Sequence, residues 1–485
     1  MASAAVKGLA GTRQRQQVAA PGWAPRHRRC RCRLAAQAGL LDLLRGAGST
    51  EIATDAEGEE LKAWLIERGL PPPKLAAAAT PGSGRGLVAA QPIGKGESLL
   101  SIPQQLVLTP AAALEQSCLR PLLEEQPLPA WSVLALWLAE QRAAGSAGGW
   151  WPYVRLLPER TGCVLEWSEE EVEWLCGSQL HSDALEIRAA AEASWAEMQA
   201  VLAAAKAQGR APAHGAFGRA QLQWAFAVLL SRLVRLAGLG DQEALLPWAD
   251  LLNHDCAAAS FLDWSATEAA VVLRAERRYR AGEQLLISYG QKTSGELLLS
   301  YGFCPDLGSN PHDGCRLLLE LAPGDAARNW KAAALRQHGL AASQLFPLRM
   351  AAAPFELVHY TAFSAAVVGS RQEAEQLARR LFEEGDIPPA LQTAALEAVV
   401  AACKAALAAY PRSFDGDRAE LDRLQDQASA AAASGGAGDG SADAGQQRRR
   451  HALQAVVYER QVLSRTVFVL QQELKDVQRL ARRQG

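Results

Sequence analysis

Long apolar runs are missing from this 485-residue chain: no stretch reads as the 18 or more consecutive apolar residues that a membrane helix needs. Charge of one sign is not in excess either. Fifty Lys and Arg against 52 Asp and Glu give a net charge of −2, so no extended nucleic-acid surface is indicated. Nine cysteines are scattered singly, apart from Cys30-x-Cys32, which excludes a disulfide framework and a zinc knuckle as organising devices and implies a reduced compartment. The expected partners therefore include no nucleic acid, no membrane and no metal.

One local absence is informative. Residues 1 to 41 hold one Lys and seven Arg but no acid; the first is Asp42. There is no apolar core of a secretory signal, and basic, acid-free leaders are the pattern of organellar transit peptides. Chloroplast and mitochondrion both fit, and a disordered basic tail on a cytosolic protein is the alternative. The leader, taken as residues 1–45, is set apart from the fold.

What is present begins with a short helix at 59–68, ended by Gly69. "SGRGLVAAQPIGKGESLLSIPQQLVLT" (83–109) reads as a Gly-rich loop, a strand, a turn and a second strand. Residues 112–235 are rich in Ala, Leu and Trp, with helical spacing at 131–142, 168–180, 184–207 and 219–237. Strand character returns at 260–289. There "AERRYRAGEQLLISYG" (275–290) echoes "AAQPIGKGESLLSIP" (89–103), each placing Gly-Glu before Leu-Leu. Two similar β units around a helical block predict one β-rich domain with an insertion. From about 316 the chain is expected to be helical to its end, with a mobile low-complexity loop at 426–447. The final apolar stripe, Leu453, Val456, Leu463, Val467, Leu470, Leu474 and Val477, suits a helix packing on its own domain better than a coiled coil, because three heptads are few.

Chemistry is expected where polar groups interrupt apolar sequence. "LLPWADLLNHDCAAASFLDW" (245–264) turns polar at Asn253-His254-Asp255, and burying such groups without partners costs roughly 2–7 kcal/mol each. Gly84-Arg85-Gly86, Ser231-Arg232 at the end of an apolar helix, and "ISYGQKTSGELLLSYGF" (287–303) behave alike. Singly, each has a structural explanation: a turn, a salt-bridged face, a cap, a satisfied core tyrosine.

Together, "GRGLVA", the terminal "SR", "WADLLNHD", and "ISYG…SGELLLSYGF" followed by "NPHD" resemble the SET-domain methyltransferases, in the class of the Rubisco large-subunit lysine methyltransferase. The resemblance spans roughly residues 50–485. It implies an α+β fold: a β-rich, pseudoknotted SET domain (50–310) with a helical insert (112–235), then an all-α substrate-binding domain (311–485). It also implies S-adenosylmethionine as methyl donor and no metal. Ser83, where the family commonly has glutamate, and Arg85 would meet the donor through main-chain atoms. Asn253 and His254 would hold its amino and adenine ends, Arg232 its carboxylate, and Tyr301 and Phe303 would pack along it. Tyr289 matches the catalytic tyrosine. Ser231 and Val234, the latter where an aromatic is common, fall on the lysine channel. The implied reaction is methylation of a lysine on a non-histone, plastid protein such as the Rubisco large subunit or aldolase, docked by the C-terminal domain of a monomer in the chloroplast stroma. Protein-histidine methylation, or a silent binding module on the same fold, are the alternatives.

Overall fold

The structure is a computed structural model that describes residues 54–484 apart from 81, 210–216, 351–354 and 435–439. The leader lies outside the described residues.

Helix α1 (Ala56–Glu67) buries Leu61 and Leu65 against the first strands. Strands β1 (Leu75–Thr80) and β2 (Gly84–Ala89) form an antiparallel hairpin, so Gly84-Arg85-Gly86, expected in a loop, lies at the start of a strand. The alanine run of β1 gives no propensity signal for a strand. It suits a site of close approach: a Cβ placed on Gly58 of α1 would come within 2.3 Å of the Ala77 Cβ. Strand β3 (Ser98–Pro103) pairs with β8 (Ala270–Arg274), which pairs in turn with β7 (Asp263–Ser265).

The two echoing sequence units are partners. Backbone hydrogen bonds join Leu87 to Leu285, Ala89 to Gly282 and Glu283, Ile93 to Tyr279, and Glu97 to Ala275. Their similarity is that of two β-turn-β arms run antiparallel to each other.

The insert is helical. Helix α2 (Ala130–Ala144) buries nearly its whole length, Trp131 through Gln141. The segment at 168–180 is broken: a one-turn helix Glu169–Val172, capped by Ser168, runs into a 3-10 turn before α3 (Gln179–Ala207) begins at the Ser178 cap. Helix α4 (Arg219–Arg232) ends sooner than its apolar period suggested, because 234–236 becomes strand β4 (Val234–Leu236), paired with β5 (Gln242–Ala244). The chain then makes a two-residue strand β6 (Asn253–His254) that pairs in parallel with β9 (Leu286–Ile287). A parallel pair 33 residues apart needs a crossover between its strands, and here the crossover is the β7–β8 arm. Helix α5 (Ser294–Tyr301) follows, opened by a Thr293/Glu296 capping box.

The C-terminal region is helical, with one addition. Strands β10 (Cys315–Glu320) and β11 (Ser343–Leu348) form an antiparallel ribbon around α6 (Arg328–Gln337). Helices α7 (Phe355–Ala365), α8 (Arg371–Phe382), α9 (Pro389–Ala408), α10 (Phe414–Ser434) and α11 (Gly440–Gln484) complete it. Two expectations are corrected here. The stretch 426–447 is not a loop through most of its length, since α10 runs to Ser434 and α11 starts at Gly440. Alanine is the best helix former, which suits the alanine-rich end of α10 to a helix. Helix α9 is also long and apolar enough to cross a membrane by length and composition. In this fold Ala395, Leu396, Val399, Val400 and Cys403 bury one face of it in the bundle. Helix α11 packs on α9 and α10 and buries Val456, Leu463 and Leu470, as a helix of its own domain.

Candidate active site

A cavity of about 1150 Å³ opens where α4, β6, β9 and the end of α5 converge. Ser83, Arg85, Ser231, Arg232, Val234, Asn253, His254, Tyr289, Tyr301 and Phe303 all line it, so the fold brings together residues spread over 220 positions of sequence.

The floor is the parallel pair. Asn253 Nδ2 donates to Thr80 Oγ1 and to the Arg85 carbonyl, both at 3.3 Å, tying β6 to the first hairpin. Gly86 makes this approach possible: a Cβ there would stand 2.7 Å from Asn253 Nδ2 and 2.9 Å from Thr80 Cγ2. His254 Nδ1 lies between the Tyr289 N–H at 3.0 Å and the Ile287 carbonyl at 3.2 Å, and Nε2 faces Cys256 Sγ at 3.4 Å. Burial lowers the His254 pKa and so favours the uncharged imidazole.

The aromatic wall is a chain of ring contacts. Tyr289 lies 4.9 Å from His254 and 4.8 Å from Tyr301 between centroids, and Phe303 lies 6.2 Å from Tyr301. Such spacings favour offset and tilted packing. The Tyr289 hydroxyl donates to the Leu252 carbonyl at 2.7 Å, and burial pushes its pKa up to about 12. Tyr301 is pushed up further by burial. Neither phenol ionises near neutrality. Between the rings, Gly302 adopts φ +78°, and a Cβ there would reach 2.3 Å from the Thr161 carbonyl of the insert.

Arg232, last residue of α4, donates Nη1 to the Asp250 carbonyl and lies 3.7 Å from the Asp250 carboxylate. Its Nε is buried and has no hydrogen-bond partner among the described residues; the same holds for Asp250 Oδ1. Asp250 Oδ2 accepts the Tyr153 hydroxyl at 2.7 Å. Burial raises the Asp250 pKa, against the pull of Arg232 and Tyr153. The turn that delivers Asp250 is strained: Trp248, fully buried, has φ +79°, a conformation that costs on the order of 1–3 kcal/mol outside glycine.

Arg85 lines the cavity, and its guanidinium donates to the Leu156 carbonyl of the same wall at 3.3 Å. The guanidinium also pairs with Asp55 and with Glu57, the latter at 3.0 Å. Ser83 sits in the exposed turn before β2. Ser231 Oγ bonds back to the Val228 carbonyl at 3.1 Å, and Val234 is half-buried on β4. The "NPHD" segment acts behind the wall. Asp313 accepts Ser294 N–H at 2.9 Å and Ser294 Oγ at 2.7 Å, and Asn310 Nδ2 donates to the Lys292 carbonyl at 2.9 Å.

Sequence reasoning did not single out Asp250, Tyr153 or Lys292, whose ammonium lies 5.9 Å from the Tyr301 ring. For Asp250 a signal existed: it is a lone acid in the apolar run three residues before Asn253. It also missed Gln447, Arg450 and His451 of α11, which line the same cavity.

Comparison with known proteins agrees with this architecture. The SET domain family matches residues 84–290, and the Rubisco LSMT substrate-binding family matches residues 322–463. The chain is similar to SET domain-containing protein 4 of Mus musculus, 27% identical over 62% of this chain and 72% of that protein. It is similar to the [Fructose-bisphosphate aldolase]-lysine N-methyltransferase, chloroplastic, of Arabidopsis thaliana, at 31% over 54% of each. It also resembles the actin-histidine N-methyltransferase of Danio rerio, at 27% over 61% of this chain and 50% of that protein, so it spans about half the length of the last two relatives. The structure of Rubisco LSMT bound to AdoMet superimposes with a TM-score of 0.69 at 23% identity, covering 87% of this chain and 93% of the other. The chain thus carries a region of the SET domain family followed by a region of the Rubisco LSMT substrate-binding family, on a fold shared with Rubisco LSMT.

Proposed function

We propose that this protein transfers a methyl group from S-adenosylmethionine to a lysine of a plastid protein, with the Rubisco large subunit and aldolase as the leading substrates. The observation that carries the reading is the convergence of Asn253, His254, Arg232, Tyr289, Tyr301 and Phe303 on one cavity. Its volume suffices for a nucleoside-sized donor and an acceptor side chain together. The donor also fits the groups left open. The buried Arg232 Nε has no partner among the described residues and suits a carboxylate, which a guanidinium binds with charge-assisted hydrogen bonds. Asn253 and His254 would hold the amino and adenine ends, with Phe303 against the adenine.

When bound, S-adenosylmethionine supplies an electrophilic methyl group on a sulfonium. The chain's own task is to present a neutral nucleophile in line with it. A free lysine has a pKa near 10.4, so about one in a thousand or fewer is neutral at pH 7. The apolar wall of Tyr289, Tyr301 and Phe303 disfavours the ammonium and helps release its proton. Tyr289 does not act as a base, since its hydroxyl stays protonated to about pH 12. It is anchored on the Leu252 carbonyl, which fixes the phenol oxygen and the backbone beside it as orienting groups. The helical region matched to substrate binding would dock the protein acceptor, and the enzyme would act as a monomer. The basic leader and the chloroplastic relatives support a plastid address, the stroma.

Incubating the protein with methyl-labelled S-adenosylmethionine and stromal extract tests this. Fragment mass spectra should place label on a lysine of a stromal protein. Label on histidine would move the reading to the histidine-directed branch, and binding without transfer would leave a silent module.

A further inference from the structure

Trp248 combines two unfavourable features. Its backbone sits at φ +79° and ψ −50°, the rare and strained γ-turn region, although it is not glycine. Its indole is fully buried, and Nε1 has no hydrogen-bond partner among the described residues. A residue kept in such a state is over-determined by its surroundings, and strain of this kind clusters at functional sites. The chain is fixed on both sides of it. Before the turn, Leu245 exchanges backbone hydrogen bonds with Leu108, both at 3.0 Å. After it, Asn253 is tied to Thr80 and to the Arg85 carbonyl. Between them the Asp250 N–H closes the turn on the Leu246 carbonyl at 3.0 Å. Over the ring, the Lys62 ammonium of α1 stands 5.9 Å from the indole. The turn delivers two carbonyls to the cavity. That of Asp250 accepts from Arg232, and that of Leu252 accepts the Tyr289 hydroxyl at 2.7 Å.

We propose that Trp248 is a positioning residue for methyl transfer: its buried indole holds the turn that aims the Leu252 carbonyl at Tyr289. This rests on the methyl-transfer function proposed above. A backbone that relaxed to negative φ at 248 would swing the peptide units that follow, and both carbonyls with them. Packing prevents this, since an indole cannot move without opening space in a close-packed interior. The indole nitrogen matters little, because its N–H has no partner among the described residues. The bulk of the ring is what the turn uses.

The test uses the full-length protein, methyl-labelled S-adenosylmethionine at saturation, and stromal extract as acceptor. Calorimetry with S-adenosylhomocysteine sets the saturating concentration for each variant. Trp248→Leu should transfer label about tenfold to a hundredfold more slowly, the scale of misplacing an orienting group by an ångström or less. Trp248→Phe keeps a ring in place and should stay within about threefold of wild type. The deciding comparison is made in a Tyr289→Phe background. Because Trp248 acts through Tyr289, Trp248→Leu should add less than about threefold there. Should Trp248→Leu fail to fold, Trp248→Met, longer and more adaptable, takes its place with the same expectations. A folded Trp248→Leu that transfers at the wild-type rate overturns the inference while leaving the methyl-transfer reading intact. Equal losses in Trp248→Leu and Trp248→Phe, or losses that multiply in full with Tyr289→Phe, overturn it as well. If the wild type transfers no label at all, the function proposed above falls, and this inference with it.

Discussion

Asn253 Nδ2 reaches the Arg85 carbonyl at 3.3 Å across 168 residues of sequence, and Gly86 is the residue that lets it do so. A methyl group on Gly86 would press on Asn253, on Thr80 and on Gln284, whose Nε2 is 3.0 Å away. Gly86→Ala should therefore cost about 1–3 kcal/mol of stability, the usual range for overpacking, and should weaken S-adenosylhomocysteine binding because β2 and β6 move apart. Melting curves and calorimetry on one preparation check both. Unchanged melting and unchanged affinity would show that the hairpin yields without disturbing the site.

Arg232 and Asp250 need a paired experiment. Arg232→Ala should lower donor affinity by about 1.5–3 kcal/mol, a charged hydrogen bond's worth. It also strands the Asp250 carboxylate, whose side chain is 2% exposed, so the melting temperature should fall as well. Arg232→Ala combined with Asp250→Asn removes the stranded charge. The double variant should regain much of the melting temperature and little of the affinity. Recovery of both would make Arg232 a structural partner of Asp250 only.

Much of this site was legible because its residues break the local apolar pattern: Asn253-His254 and Arg232 each put polarity where the flanks are buried. The helical insert was legible through periodicity, as in α2 and α3. Strand β1 was not, because its alanines carry little strand propensity, and Ala77 is small where α1 comes close at Gly58. Arg450 and His451 were not, since their meaning comes from a tertiary contact about 150 residues away, and on α11 alone they read as an ordinary basic helix start.

The domain interface carries its own pH dependence. Glu459 of α11 is buried, accepting from the Ser178 hydroxyl and from Tyr410 OH at 3.1 Å, and burial pushes its pKa up to about 7 from an ordinary 4.5. The folded state thus binds this proton more tightly than the unfolded chain. The stability it confers is full below pH 4.5 and is lost as pH rises to about 7, by up to about 3 kcal/mol. Glu459→Gln keeps a hydrogen-bonding side chain and cannot ionise. Urea midpoints at pH 5 and pH 8 should differ less for the variant than for the wild type. Equal differences would remove Glu459 as the source.

The proposed transfer depends on Tyr289, whose hydroxyl is held by Leu252 in the middle of the ring cluster. The direct measurement is single-turnover methyl transfer by Tyr289→Phe beside wild type, with melting and donor affinity recorded on the same samples. Keeping the ring should leave affinity nearly unchanged and lower stability by about 1 kcal/mol. The transfer rate should fall on the order of 10²-fold or more, the loss expected when a positioned polar group leaves a transition state. A variant that melts lower yet transfers methyl at the wild-type rate would contradict the account, leaving Tyr289 a core aromatic with a satisfied hydroxyl.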